Sequence, residues 1–344
     1  MIRHNNWLFH LVSQSYLIPQ VLRILAFWLL LLTVWLTCLR QSPAQSPWIV
    51  FQSERAGNQW DLFLLQPSTG RLEQVTDTPT LDERMPTWSP DGRWLAYEVQ
   101  SESFSAIYKQ RLWGGDRQRV SRSNAVKVAS LRWSPDGQWF AFYDRTNNHI
   151  YRMPSAGGPA EALRPITHYF PDSGVLDWSP DSQRIVYTDR VATAPQVNAL
   201  HILDLQTRQA TRLTQHENTD MTPLWGAEDW IFFSSYTRSG YELFRISADG
   251  SDQTRLTTTA WDELYSHLSP DGEWLVAASW QPRDLELYQM RPDGTQRQRL
   301  TESPGQDYAP NWSPIINFRW QGLGMLLIAL GLGGLAYGFG RTLA

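Results

Sequence analysis

At 344 residues the chain exceeds the usual single-domain size, but all-β and repeat architectures carry such lengths as one body, so domain number has to be read from repeats. A formal net charge of -4 provides no basic face of the kind nucleic acid requires, which excludes nucleic-acid binding. Lysine occurs only at Lys109 and Lys127, leaving arginine to supply the positive charge, and the single cysteine, Cys38, excludes an intrachain disulfide.

In chain order, an N-terminal segment (1–20) leads into an apolar stretch at 21–39, in which Ile24 to Leu39 is free of charge. Two readings of this stretch stay open. It is a transmembrane helix or signal-anchor with Arg23 reaching to the interface, or it is the apolar part of a long signal peptide with Ser42-Pro43-Ala44 as a small-residue cleavage site. A linker (40–47) follows.

From 48 to 314 the sequence repeats. Trp88-Ser89-Pro90-Asp91-Gly92 recurs at Trp133, at Trp178 with Ser182 in place of Gly, and at Leu268 with Leu in place of Trp; degenerate copies stand at Trp225 and Trp312. The intervals are 43 to 47 residues, the range of a propeller blade. Pro suits the fixed φ of a tight turn, and Asp and Gly follow where turns favour them. After each turn comes an apolar strand (Trp94 to Glu98, Trp139 to Tyr143, Trp274 to Ala277), then a third strand and a fourth ending in Arg-Leu-Thr, as at Arg212-Leu213-Thr214. The array enters at Trp48-Ile49-Val50-Phe51, a second strand, and leaves after Trp312-Ser313-Pro314, a first strand. Closure of one blade by both ends predicts six four-stranded antiparallel blades with no open edge. The fold class is therefore all-β, a six-bladed β-propeller flanked by N- and C-terminal hydrophobic helices.

Beyond it, 320–340 contains the uncharged run Gly322 to Gly340 and reads as a C-terminal transmembrane helix. Gly324, Gly331, Gly334 and Gly338 fall near one face, where another helix could approach closely, although glycine is also common in membrane helices generally.

Arg-Leu-Thr, an acidic loop, Pro-x-Trp-Ser-Pro-Asp-Gly and the loop Ser53-Glu54-Arg55-Ala56-Gly57-Asn58 together resemble the TolB-type, WD-related propeller repeat. The resemblance implies a six-bladed propeller and an exported, partner-binding role. Together with the apolar segments at 21–39 and 320–340, this gives the expectation of a membrane-anchored protein with the propeller on the periplasmic or other extracytoplasmic side, binding an envelope protein, peptide or glycan.

Enzymatic motifs are missing. The sequence has no G-x-S-x-G elbow, no phosphate loop, no HExxH and no CxxC, so neither catalysis nor a cofactor is expected. A hydrolase or lyase acting at the channel, or a structural subunit of a larger membrane complex, are the alternatives. The candidate binding residues are acids ahead of the first strands, at Glu83, Asp172, Asp220, Glu263 and Asp307. Loops after the second strands offer Arg55, Arg145, Arg190, Arg238 and Arg283. These are expected either to pair as a network of partly exposed bridges, or to form an acidic ring at the channel mouth that receives a cation or a basic peptide end.

Overall fold

A computed structural model describes residue 28 and residues 46–314, apart from 58, 113–116, 122–126, 168–173 and 282–283. The chain divides into two units, Met1–Gln45 and Ser46–Ala344, and every strand described lies in the second. The expected helices at 21–39 and 320–340, with Gly324, Gly331, Gly334 and Gly338, lie outside the described residues. Among those described, no helix is long and apolar enough to cross a membrane.

The propeller consists of six antiparallel sheets of four strands each. Their first strands, Asp82–Trp88, Val128–Trp133, Leu176–Trp178, Asp220–Trp225, Asp262–Leu268 and Asp307–Trp312, touch one another in a closed cycle around the axis. Numbering blades from the N-terminus, blade 1 is composite. Asp307–Trp312 pairs with Ile49–Ser53 in the register Ile49 to Trp312 and Ser53 to Asp307. Such alternating strands bury both faces, so each blade-to-blade interface becomes an apolar layer. Phe51, Phe63, Val276 and Leu287 form the layer between blades 1 and 6, as Tyr143, Leu176 and Tyr187 do between blades 3 and 4.

The repeated sequence motifs are explained by hydrogen bonds. In Ser89-Pro90-Asp91-Gly92, Ser89 Oγ donates to Asp91 Oδ1 (2.6 Å) and accepts from Trp94 N (2.9 Å), while Asp91 Oδ1 accepts from Arg93 N (3.0 Å). Gly92 takes φ 67°, which suits glycine. The same bonds recur at Ser134, Ser179 and Ser269. Blade 5 replaces the turn with a short 3-10 turn, Ala227–Asp229. In the composite blade the two ends of the propeller reproduce the bond, Trp48 N donating to Ser313 Oγ (2.9 Å) and Ser313 N to Trp48 O (2.7 Å).

Arg-Leu-Thr fastens the outer strand. The hydroxyls of Thr214, Thr257 and Thr301 accept from Leu200, Leu243 and Leu287 on the third strands at 2.9 to 3.0 Å. In blades 5 and 6 the arginine also reaches a buried third-strand glutamate, Arg255 to Glu242 at 2.9 Å and Arg299 to Glu286 at 3.0 Å. These pairs let the short outer strands, only two residues each, remain attached.

Candidate functional site

Each first strand except that of blade 4 carries a β-bulge, where one extra residue shifts the pairing. The residue at the bulge has a left-handed backbone although it is not glycine: Met85 (φ 48°), Ser130 (58°), Thr222 (51°), Tyr265 (54°) and Ala309 (49°). A bulge re-aims a side chain. Met85, Tyr265 and Ala309, from three different blades, pack together, and a Cβ at Gly174 of blade 4 would lie 3.4 Å from the Tyr265 ring. Side chains therefore fill the channel at mid-height, leaving a cavity at each end.

The larger cavity, about 560 Å³, opens at the Ser-Pro-Asp-Gly end. Its wall includes the residues that precede the repeated Trp or Leu of each blade. Thr87, Asp177 and His267 each accept an N–H from the next blade, from Trp133 (3.3 Å), Trp225 (2.8 Å) and Trp312 (3.2 Å). Burial raises Asp177 to about 6 against the pull of Arg132, whose Nε lies 3.6 Å away, and lowers His267 to about 3. A neutral histidine and a carboxylate facing arginine thus serve as joints between blades.

The second cavity, about 180 Å³, is the mouth at the opposite end, lined by Gln52, Trp60, Arg84, Met85, Glu98, Gln100, Ala129, Arg145, Trp280, Gln306 and Tyr308. Glu98 is 1% exposed, and burial raises its carboxyl to about 8 despite the nearby Arg145. Arg84 lies over the Trp60 ring (5.6 Å) and donates to Asp82 (2.9 Å).

The acids expected at this mouth are placed differently. Glu83, Asp220, Glu263 and Asp307 lie within the first strands rather than in loops, and all are fully buried. Asp307 accepts from Ser53 Oγ (2.6 Å) and Arg55 Nη2 (2.5 Å), which ties the composite blade. Glu83 accepts from Thr78 Oγ1 (2.8 Å) and Arg117 (3.1 Å), and Glu263 from Arg297 (2.9 Å). Burial raises both glutamates. Asp220 has His216 Nε2 at 3.3 Å without hydrogen-bond geometry, and burial raises it to about 7. In each bridge the acid is sealed while its arginine is 15–27% exposed, so the pairs are partly exposed on one side only, and removing the arginine, which strands a buried carboxylate, costs more than the about 0–1 kcal/mol of a fully exposed pair.

Of the loop arginines, Arg55 reaches an acid of the set, Arg145 lines the mouth, Arg190 is half-buried and Arg238 is exposed. Asp172 and Arg283 lie outside the described residues. Arg117 and Arg297 were not anticipated. Each stands 34 residues after its glutamate and stacks on a tyrosine, Arg117 on Tyr108 (4.5 Å) and Arg297 on Tyr288 (3.7 Å), so the shared spacing was the available signal.

One rim position departs from repetition. The second-strand residue paired with each buried acid, or with its counterpart Val128, is Ser53, Val99, Asp144, Ser235 or Ser279. The next residue, at or beside the end of that strand, is Glu54, Gln100, Arg145, Tyr236 or Trp280. Packing dictates no common chemistry there. Tyr236 and Trp280, in adjacent blades, are 53% and 51% exposed, far more than the rest of the aromatic framework.

The six blades thus form a closed ring with Arg84, Arg145 and an uneven set of aromatic side chains at one mouth. Among the described residues no group of three or more His, Cys, Asp or Glu comes together to hold a metal ion. Residues 37–197 and 167–317 match the family described as TolB beta propeller domain, and the chain belongs to that family. An uncharacterised protein of Agrobacterium fabrum is 29% identical over 212 residues, covering 60% of this chain and 68% of its own. Among solved structures, a TolB from Agrobacterium tumefaciens superposes with a TM-score of 0.61 at 25% identity, over 74% of this chain and 89% of that one. TolB from Acinetobacter baumannii superposes with a TM-score of 0.69 at 20% identity, over 79% and 68%.

Proposed function

We propose that the chain is a non-catalytic scaffold, tethered to a membrane, whose propeller stands on the exported side and offers its channel mouth to a protein or peptide of the cell envelope. The observation that carries this reading is the pair of half-exposed rings, Tyr236 and Trp280, beside a mouth that also contains Trp60 and Tyr308. Large rings held half open to water in adjacent blades suit the anchoring of a partner.

Both ends of the propeller, at Trp48 and Ser313, leave from the Ser-Pro-Asp-Gly end, where they are bonded to each other. Apolar segments at 21–39 and 320–340 would supply the tether, and the glycines of the second would let another helix approach closely. The enzyme alternative asks for carboxylates or histidines converging on one ligand atom without a cation beside them. Asp177 and His267 instead face Arg132 and accept backbone N–H groups.

The reading is tested by capture from the native host membrane after cross-linking, using the full chain. Trp280→Ala with Tyr236→Ala should abolish capture of the partner taken by the wild type, since each anchor ring contributes about 2 kcal/mol or more, and stability should move by no more than about 0.5 kcal/mol. Leu72→Ala, at an exposed apolar residue on an outer strand (42% exposed), should leave capture intact. Capture that survives the rim change but fails with Leu72→Ala would place the interface elsewhere.

A further inference from the structure

The acid that precedes the buried Glu263 lacks the cation that its counterpart in blade 2 holds. Asp82 and Asp262 open the first strands of blades 2 and 6 and are bound alike: Asp82 Oδ1 accepts from Trp60 N at 3.1 Å, and Asp262 Oδ1 from Tyr241 N at 2.7 Å. Two residues on, Arg84 turns back to Asp82, its Nη2 donating to Oδ2 at 2.9 Å, and the guanidinium lies over the Trp60 ring, 5.6 Å from the centroid. Blade 6 keeps the register, Leu264 standing opposite Ala278 as Arg84 stands opposite Glu98, but leucine brings no charge. Asp262 therefore enters no ion pair among the described residues. The neighbouring cations of blade 5 do not replace Arg84: Arg255 is taken by Glu242 at 2.9 Å, and Arg238, exposed in the hairpin turn, makes no ion pair with Asp262.

Aromatic rings flank this carboxylate and face water. Asp262 and Trp280 stand directly opposite each other on neighbouring strands, so their side chains share a face, and Trp280 is 51% exposed. On the blade 5 side, Tyr241 packs edge-to-face against Tyr236 with centroids 5.1 Å apart, and Tyr236 is 53% exposed. Burial, with the charge of Asp262 beside it, raises the Tyr241 hydroxyl to about 12, so the phenol stays neutral. An unpaired carboxylate between electron-rich rings attracts a cation twice over, by its charge and by the ring quadrupoles.

We propose that Asp262, Tyr241, Tyr236 and Trp280 form a notch on the rim of blades 5 and 6 that receives a lysine or arginine side chain of the partner protein. The incoming cation takes, against Asp262 and Tyr241, the place that Arg84 takes against Asp82 and Trp60. This rests on the reading of the rim as the binding face and specifies the side chain that face selects. Asp262 is the specificity-determining residue, and the rings hold the stem of the bound side chain.

Fluorescence anisotropy with the full chain in detergent, at matched ionic strength, tests the assignment with labelled, acetylated and amidated tripeptides: Ala-Lys-Ala, Ala-Arg-Ala and Ala-Glu-Ala. The two basic peptides should bind and the glutamate peptide should not. Asp262→Asn and Trp280→Ala should each weaken the basic peptides by ~10-fold, whereas Asp82→Asn, at the counterpart that already has its arginine, should leave them unchanged. Leu264→Arg, which supplies the missing cation from within, should abolish their binding. Because Leu264 packs beside Met85, Tyr265 and Ala309, its melting temperature is read in parallel, and if that variant does not fold, Asp262→Asn decides. Absence of basic-peptide binding, equal binding of the glutamate peptide, or binding untouched by Asp262→Asn would overturn the assignment. Partner capture that needs Trp280 and Tyr236 but persists in Asp262→Asn would sink the cation notch alone and leave the binding face standing; capture untouched by loss of both rings would sink the face itself.

Discussion

A carboxyl group surrounded by protein rather than water keeps its proton, and in this propeller that fact reverses what the positions of the acids suggest. Glu98 has its carboxyl raised from the ordinary 4.5 to about 8, so across that interval the folded chain holds a proton that the unfolded chain has released. Its contribution to stability is fully present below about 4.5 and is lost as pH rises through about 8, at roughly 1.4 kcal/mol per pH unit. Asp177 (to about 6) and Asp220 (to about 7) act with the same sign over lower windows. Glu98→Gln is uncharged at every pH, so its melting temperature should fall less than that of the wild type between about pH 5.5 and 8.5. Parallel melting curves would show that Glu98 is ionised in the fold. The sequence made the acids visible by position but not by depth: Glu83 and Asp307 differ from exposed loop acids only in the bulge two residues later, and Met85 and Ala309 leave no compositional mark of their left-handed backbone.

Within a blade, legibility follows how local the bonds are. Ser-Pro-Asp-Gly closes on itself within six residues, from Ser89 to Trp94, so its sequence and its hydrogen bonds recur together. The clasp of Glu83 by Arg117 crosses a whole blade, and a side chain with that reach needs no fixed neighbours to reveal it. Contacts between blades are equally silent in sequence, and glycine exposes one of them. Gly294 (φ 84°) lies in the outer turn of blade 6 with the Leu256 carbonyl of blade 5 only 1.9 Å from where a Cβ would be. Gly272 (φ 73°) has nothing within 4 Å of that point. Gly272→Ala should therefore cost about 1 kcal/mol, for the left-handed backbone alone, and Gly294→Ala about 2 kcal/mol or more, because neighbouring backbone must also move. Urea denaturation midpoints will rank them; equal losses would mean that the outer turns of the two blades are not in contact.

For the whole molecule, closure was legible because the repeat is out of phase with the chain, entering on a second strand at Ile49 and leaving on a first strand at Trp312. The polarity of the ring follows from the same offset. It places both ends of the propeller beside the turn of blade 1 and leaves the mouth, with Arg84, Arg145 and Trp280, at the other end. That the mouth is where a partner docks is the central claim, and photo-cross-linking of the full chain in its native membrane tests it most directly. A photoreactive residue should be introduced in turn at Gln100, Arg145, Tyr236 and Trp280 on the rim, and at Gln138 and Glu273, exposed beside the turns at the opposite end. A single partner protein should be trapped from the rim positions and from neither turn position. The same partner trapped only from Gln138 and Glu273 would contradict the account.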